Sequence, residues 1–303
     1  MRIVDLFCGV GGFRLGCETL GEVVYSSEWD KFSQRTYKEN FGDLPQGDIT
    51  KIEAQEIPNH DLLCAGFPCQ AFSIGGLKRG FEDTRGTLFF DVVRIAKHHK
   101  TSVLFLENVK GLLYHDKART FKIIVETLKD LGYRVYTKVL NTKDFGLPQN
   151  RERLFFVCFR DHTIDFEFPV PPYTPCKVGD ILQDEVNPKY MISAHIWKYH
   201  QERKEKNRIN KKGFGYRLFN ENSSHTSCIT ARYYKDGSEA LIDTVEGLSP
   251  RRLTPREVAR LQGFSDSFKL PCSDTQSFKQ LGNSVSVPVI FAISQKIKES
   301  LRR

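Results

Sequence analysis

The sequence predicts an α/β fold with a mostly parallel, doubly wound sheet and a smaller, irregular second domain. Three observations carry this. Short continuous apolar runs alternate with helical patterns over the first 160 residues. A glycine-rich turn follows the first of those runs. Four prolines crowd PVPPYTPC (169–176), where the alternation stops.

The elements follow in order. IVDLF (3–7) predicts a first strand, then a turn and a helix near 12–20. VVYSSEW (23–29) and DLLCAGF (61–67) predict the second and third strands. LFFDVVRIAKHH (88–99) has helical spacing, and SVLFLENV (102–109) is strand-like. RTFKIIVETLKDLG (119–132) predicts a helix with Gly132 just past its end, where a left-handed residue closes many helices. RLFFVCF (153–159) predicts another strand. From the proline cluster to about 250 the chain is polar and irregular. In RRLTPREVARLQGF (251–264), Thr254 suits an N-cap, Pro255 the first helical position, and Glu257 the far half of a capping box. A turn or strand then feeds a last amphipathic helix within 284–301. The expected domains are 1–172 with 274–303, and 173–273.

Composition narrows the partners. The 303 residues are 40% hydrophobic, enough for a sizeable core, and no apolar run is long enough for a membrane span. MRIVDLFCG opens directly on a strand-like run, so no signal peptide is expected, and no regulatory segment ahead of it. The eight cysteines form no CxxC pair and no zinc-spaced cluster, which predicts reduced thiols in a cytoplasmic protein and no metal. The net charge of +8 points to an anionic partner. Most of the excess falls in 173–273, with 17 Lys+Arg against 12 Asp+Glu. Its densest run, HQERKEKNRINKKGFGYR (200–217), reads by itself as a solvated face.

Ligands of open α/β sheets sit beyond the carboxyl ends of the strands. Four suggestive stretches fall there: FCGVGG (7–12), Glu28–Trp29, FPCQ (67–70) and Glu107–Asn108. The glycines let backbone approach a nucleotide closely, and Glu28, 19 residues after Gly9, suits a ribose diol. Arg14 departs from the dinucleotide pattern GxGxxG, so these residues alone leave a nicotinamide site and an S-adenosylmethionine site equally open, with a purely structural turn as the lesser alternative.

The ordered set FCGVGG (7–12), GFPCQ (66–70), ENV (107–109), QNRER (149–153), RRLTPREVARLQGF (251–264) and QLGNSVSVPV (280–289) resembles the motifs of DNA cytosine-5 methyltransferases, bacterial stand-alone modification enzymes in particular. The resemblance spans nearly the whole chain. It implies a Rossmann-like S-adenosylmethionine-dependent methyltransferase fold whose C-terminal helix returns to the large domain. It also implies methyl transfer to C5 of a flipped-out cytosine in a short specific duplex sequence, with S-adenosylhomocysteine as product and no metal.

By that resemblance Cys69 is the nucleophile that adds to C6, Glu107 the acid near N3, and Arg151 and Arg153 the guanidinium groups that bind the base O2 and order the loop. The cofactor contacts implied are Phe7, Gly9, Val10, Gly11, Gly12, Glu28, Trp29, Asp48, Ile49, Pro68, Leu88, Asn283 and Ser284. The glycine-bearing stretch after Cys69 is expected to close over the base, with Gln70, Ser73, Lys78, Arg79 and Arg85 on DNA. In the variable segment Thr230, Arg232, Tyr233, Tyr234 and Lys235 are expected to read bases or phosphates, at a CCGG or CC-N-GG type site. The implied setting is a monomer on double-stranded DNA in the bacterial nucleoid, functionally paired with a restriction endonuclease. A tRNA cytosine-5 methyltransferase on the same scaffold is the alternative. A catalytically silent DNA binder leaves Cys69, Glu107, Arg151 and Arg153 unexplained, and a dehydrogenase leaves Cys69 unexplained.

Overall fold

The computed structural model describes residues 1–68, 88–211, 213, 215–244 and 249–302. The chain forms two compact units: 1–140 with 152–170 and 289–303, and 141–151 with 171–288. Residues 141–151 and 274–288 thus group with the second unit rather than with the large domain expected to hold them.

The first unit is built on a six-stranded sheet. Its strands are β1 (Arg2–Leu6), β2 (Glu22–Ser27), β3 (Leu62–Gly66), β4 (Val103–Val109), β5 (Arg134–Asn141) and β6 (Glu152–Phe159), in spatial order β2-β1-β3-β4-β6-β5. β1 runs parallel to both β2 and β3, and β3 parallel to β4. The carboxyl ends of four strands therefore share one edge, and the order reverses at β1, which makes a crevice there. β6 runs antiparallel to β4, pairing Glu107 with Phe155 and Val109 with Arg153. That reversal brings the start of β6, with its arginine, to the same edge as Glu107.

The central strands are apolar and buried on both faces, as the continuous runs predicted. β5 escaped the sequence reading. It carries Arg134, Lys138 and little burial because it is an edge strand, where charge blunts unwanted pairing.

Helices α1 (Gly12–Gly16), α2 (Lys31–Phe41), α3 (Leu88–His99), α4 (Arg119–Asp130) and α8 (Val287–Ser300) flank the sheet. α3 buries Phe89, Val92, Val93, Ile95 and Ala96 in the core. α4 ends as expected, with Gly132 at φ +86. The C-terminal helix does return to the large unit. Ser294 Oγ donates to Gly16 O at 2.8 Å, Lys298 Nζ donates to Thr19 O, and a Cβ on Gly16 would lie 2.4 Å from the Ile290 side chain.

The second unit has thinner regular structure. Its described strands are three of two residues each: β7 (Leu218–Phe219), β8 (Leu241–Ile242) and β9 (Arg251–Arg252). Its α-helices are α5 (Ala194–Ile209), α6 (Pro255–Leu261) and α7 (Asp274–Asn283). At α6 the capping box is present as predicted: Glu257 N donates to Thr254 Oγ1, and Thr254 N to Glu257 Oε2. α5 corrects the expectation of an irregular 177–250. Its inward residues are Trp197, His200, Arg203 and Asn207, so the apolar periodicity that betrays a helix is missing.

Candidate active site

The first unit assembles its site at the shared strand edge. After β1 the chain turns through Phe7 (φ 55), Gly9 (φ 55) and Gly11 (φ 91) into α1. Gly11 has no substitute there: its φ is left-handed, and a Cβ would sit 2.2 Å from the Phe41 ring. Glu28, just past β2, pins the turn from beside it. Its Oε2 accepts from Gly9 N at 3.0 Å and its Oε1 from Asp30 N at 2.8 Å. Burial pushes the Glu28 carboxyl up, and the two N–H donors pull it partly back. Each oxygen keeps a further lone pair for a diol.

Beside this acid, Trp29 is 77% exposed, an indole face presented to solvent. Asp48 caps a short turn by accepting from Thr50 N and Oγ1, while Ile49 is buried in the core. Val10 and Gly12 are buried within the turn, Pro68 is exposed at the end of β3, and half-buried Leu88 begins α3.

Sequence reasoning missed Asp5, an acid within IVDLF. It is fully buried in β1, and its carboxyl oxygens have no hydrogen-bond partner among the described residues. Burial pushes its pKa up to about 8, with Arg14 pulling down and Glu28 pushing up. An acid inside an otherwise apolar strand was the available signal. Arg14, the residue that broke the dinucleotide pattern, packs on the Phe41 ring and pairs with Asp43 at 2.7 Å.

The second half of this edge is Glu107 with Arg153. Arg153 Nε meets Glu107 Oε1 at 3.0 Å, with both side chains largely buried. The pair follows from the β4–β6 register, which sets Arg153 two positions from Glu107 across the ladder. Asn108 next to it donates from Nδ2 to Phe67 O at 2.9 Å and accepts from Val109 N. It thereby holds the backbone two residues ahead of Cys69. Cys69 itself, with Gln70, Ser73, Lys78, Arg79 and Arg85, lies outside the described residues.

Arg151 belongs to the second unit and is 2% exposed. Its guanidinium donates to Ile229 O at 2.9 Å, Gly282 O at 3.2 Å, Ser284 O at 2.5 Å and Cys228 Sγ at 3.4 Å. Gln149, which opens the QNRER motif but was given no role from sequence, completes this knot: its Oε1 accepts from Ile229 N and its Nε2 donates to Leu261 O. The two motif arginines therefore divide: Arg153 meets the acid, and Arg151 braces the backbone of 228–229 and 282–284. Asn283, the last residue of α7, is exposed, and Ser284 is buried.

The expected DNA-reading residues also divide. Thr230 is held by Glu239, through its amide at 2.8 Å and its hydroxyl at 2.5 Å. Arg232 and Lys235 are exposed, and Tyr234 is half-buried under Lys279. Tyr233 is a correction. Its ring is 1% exposed, and its hydroxyl donates to Ala240 O and accepts from Leu253 N, so it is a core residue rather than a reader of bases.

The family model for C-5 cytosine-specific DNA methylases matches residues 1–299. The chain belongs to this family. The enzyme is 56% identical over 306 residues to the type II methyltransferase M.SsoII of Shigella sonnei, covering 99% of this chain and 80% of that one. It is 42% identical to M.HhaI of Haemophilus parahaemolyticus, covering 99% and 95%. Among solved structures, Dnmt2 of S. pombe superposes with a TM-score of 0.80 at 20% identity over 99% of both chains, a likeness of fold. EhMeth of Entamoeba histolytica matches with a TM-score of 0.78, also at 20% identity, covering 100% of this chain and 99% of that one. Methylation of cytosine in DNA is thus the activity of the family, and this methylase has the family's mostly parallel α/β fold. Among the described residues no helix is long and apolar enough to cross a membrane.

Proposed function

We propose that the enzyme methylates C5 of a cytosine extruded from a short specific duplex DNA sequence, through a transient bond between Cys69 and C6. A stacked base cannot present C6 to a thiol, so it must leave the helix. The Cys69 thiolate adds to C6, and the displaced electron pair moves toward N3 and O2. Glu107 shares a proton at N3, and the Arg153 guanidinium, already paired with it, offers donors to O2. C5 becomes nucleophilic and takes the methyl. A base then removes the C5 proton as the carbon–sulfur bond breaks, and the thiolate is regenerated. S-adenosylmethionine supplies the electrophilic sulfonium methyl and leaves as S-adenosylhomocysteine. The residues present fit it: a left-handed glycine turn, a Glu28 carboxylate with lone pairs to spare, and an open Trp29 face. We place the enzyme in the cytoplasm, acting as a monomer on the nucleoid and paired with a restriction endonuclease.

One observation carries this reading most: the Glu107–Arg153 pair stands at the strand edge beside Asn108, whose amide holds the chain entering Phe67–Pro68–Cys69. The test is transfer of labelled methyl from S-adenosylmethionine to duplex DNA and to tRNA, followed by nucleoside analysis. The expected product is 5-methylcytosine in DNA alone, abolished by Cys69→Ser. Label in tRNA only, or none with the folded protein, sinks the reading.

A further inference from the structure

The ladder between β4 and β6 ends where Val109 pairs with Arg153. One step beyond, side chains join the two segments. Lys110 Nζ donates to Glu152 Oε1 at 2.8 Å and to Oε2 at 2.9 Å, so one ammonium bridges both carboxylate oxygens. Each partner is anchored in its own chain segment. Lys110 opens the helical turn Lys110–Leu113, which buries Leu112 in the core. Glu152 opens β6 and is the residue at which the chain re-enters the first unit. Its backbone also touches the pair at the strand edge. Glu152 O accepts from Arg153 Nη1 at 2.8 Å, while Arg153 Nε meets Glu107 Oε1 at 3.0 Å. A continuous line of contacts thus runs from Lys110 through Glu152 and Arg153 to Glu107.

The Lys110–Glu152 ion pair adds little to stability. Its side chains keep 39% and 41% exposure, and water screens a pair so placed. Nor does it reach a base held at Glu107 and Arg153, because successive residues of a strand face opposite sides and Glu152 points away from Arg153. We propose that Lys110 and Glu152 are positioning residues for methyl transfer: their ion pair locks the start of β6 and so keeps the Arg153 guanidinium in line with Glu107. The inference rests on the reading of Glu107 and Arg153 given above. Without the lock, the first residue of β6 frays, and Arg153 loses the carbonyl that orients its Nη1. Glu107 and Arg153 stay present but misaligned with the atoms they meet in the transition state. Such a loss falls on the rate of transfer rather than on binding.

The experiment measures single-turnover methylation of duplex DNA with S-adenosylmethionine saturating, together with the Kd for DNA and thermal melting. Lys110→Met and Glu152→Gln are each expected to lower the rate about 10- to 100-fold, the scale of a misplacement of about 1 Å, with Kd and melting near wild type. Lys110→Arg keeps the charge and most of the rate. Lys296→Met breaks a comparably exposed pair with Glu299 on α8 and leaves the rate unchanged. In an Arg153→Ala background Lys110→Met costs little further, because its effect passes through Arg153; a merely structural role would add in full. Folded Lys110→Met and Glu152→Gln with wild-type rates overturn the inference, as does a Lys110→Met loss that persists undiminished beside Arg153→Ala. A weaker Kd with an unchanged rate at saturation also overturns it, and makes Lys110 a phosphate contact instead. If Glu107→Gln and Arg153→Ala themselves methylate at the wild-type rate, the reading of that pair fails and this inference with it. Loss in those two variants alone overturns the inference and leaves the reading standing.

Discussion

Glu107 with Arg153 in the first unit, and Glu257 with Arg251 in the second, are both buried carboxylate–guanidinium pairs. They are not equivalent. Glu257 is fully buried, and its carboxylate accepts from both Arg251 Nη groups at 2.8 Å, from Thr254 N at 2.8 Å and from Gln183 N at 2.9 Å. Its lone pairs are spent on holding α6, β9 and the chain at Gln183. Glu107 stands where β4 ends, at the edge shared by four strand termini, beside the chain that leads to Cys69. A buried ion pair is therefore no mark of a site by itself. Four accepted hydrogen bonds mark the Glu257 pair as structural, and it is position at the strand edge beside the chain leading to Cys69 that supports the proposal that the Glu107 pair meets substrate.

Exchanging the two glutamates for glutamine breaks this comparison most sharply. Glu107→Gln should lower kcat by two or more orders of magnitude, about the contribution of one positioned proton donor, at a smaller cost in stability than the second exchange, since the Arg153 and Glu107 side chains keep 16% and 11% exposure. Glu257→Gln should do the reverse, costing about 3–5 kcal/mol because Arg251 is left buried without its charge partner. Chemical denaturation and steady-state kinetics on both variants check this. Equal losses of stability would erase the distinction.

Asp5 sharpens the contrast from another side. The folded protein holds its proton up to about pH 8, whereas the unfolded chain releases it near 3.8, the ordinary value for an aspartate. The sign follows: this contribution is fully present at low pH and is lost as pH rises from about 4 to 8. Asp5→Asn should be more stable than the wild type by a few kcal/mol at pH 8, since the penalty grows by at most about 1.4 kcal/mol for each step of one in pH. That advantage disappears toward pH 4. Melting curves across that range measure it. A smaller effect is expected at Asn108. Asn108→Ala removes its amide bond to Phe67 O, costing about 1–2 kcal/mol and lowering kcat more than it raises KM.

Sequence periodicity and motif order anticipated the first unit well, because its strands are buried on both faces and its helices present apolar stripes. α3 spans 88–99 as read from spacing, and the capping box at Thr254 and Glu257 is in place. The second unit was less legible for a physical reason. Its order depends on side chains that bond backbone far away in sequence, such as Gln149 to Ile229 and Leu261, or Arg151 to Gly282. No local pattern announces such partners. Tyr233 shows the cost: in ARYYKDG it looks like its neighbour Tyr234, yet one ring is core and the other is half-exposed.

The most direct measurement uses a duplex carrying 5-fluorocytosine at the mapped target position, incubated with S-adenosylmethionine. Fluorine at C5 blocks the final elimination, so a covalent protein–DNA complex that survives denaturation should accumulate, contain Cys69, and vanish in Cys69→Ser. A folded, DNA-bound wild type that forms no such complex, or a Cys69→Ser protein that still forms it, contradicts the account.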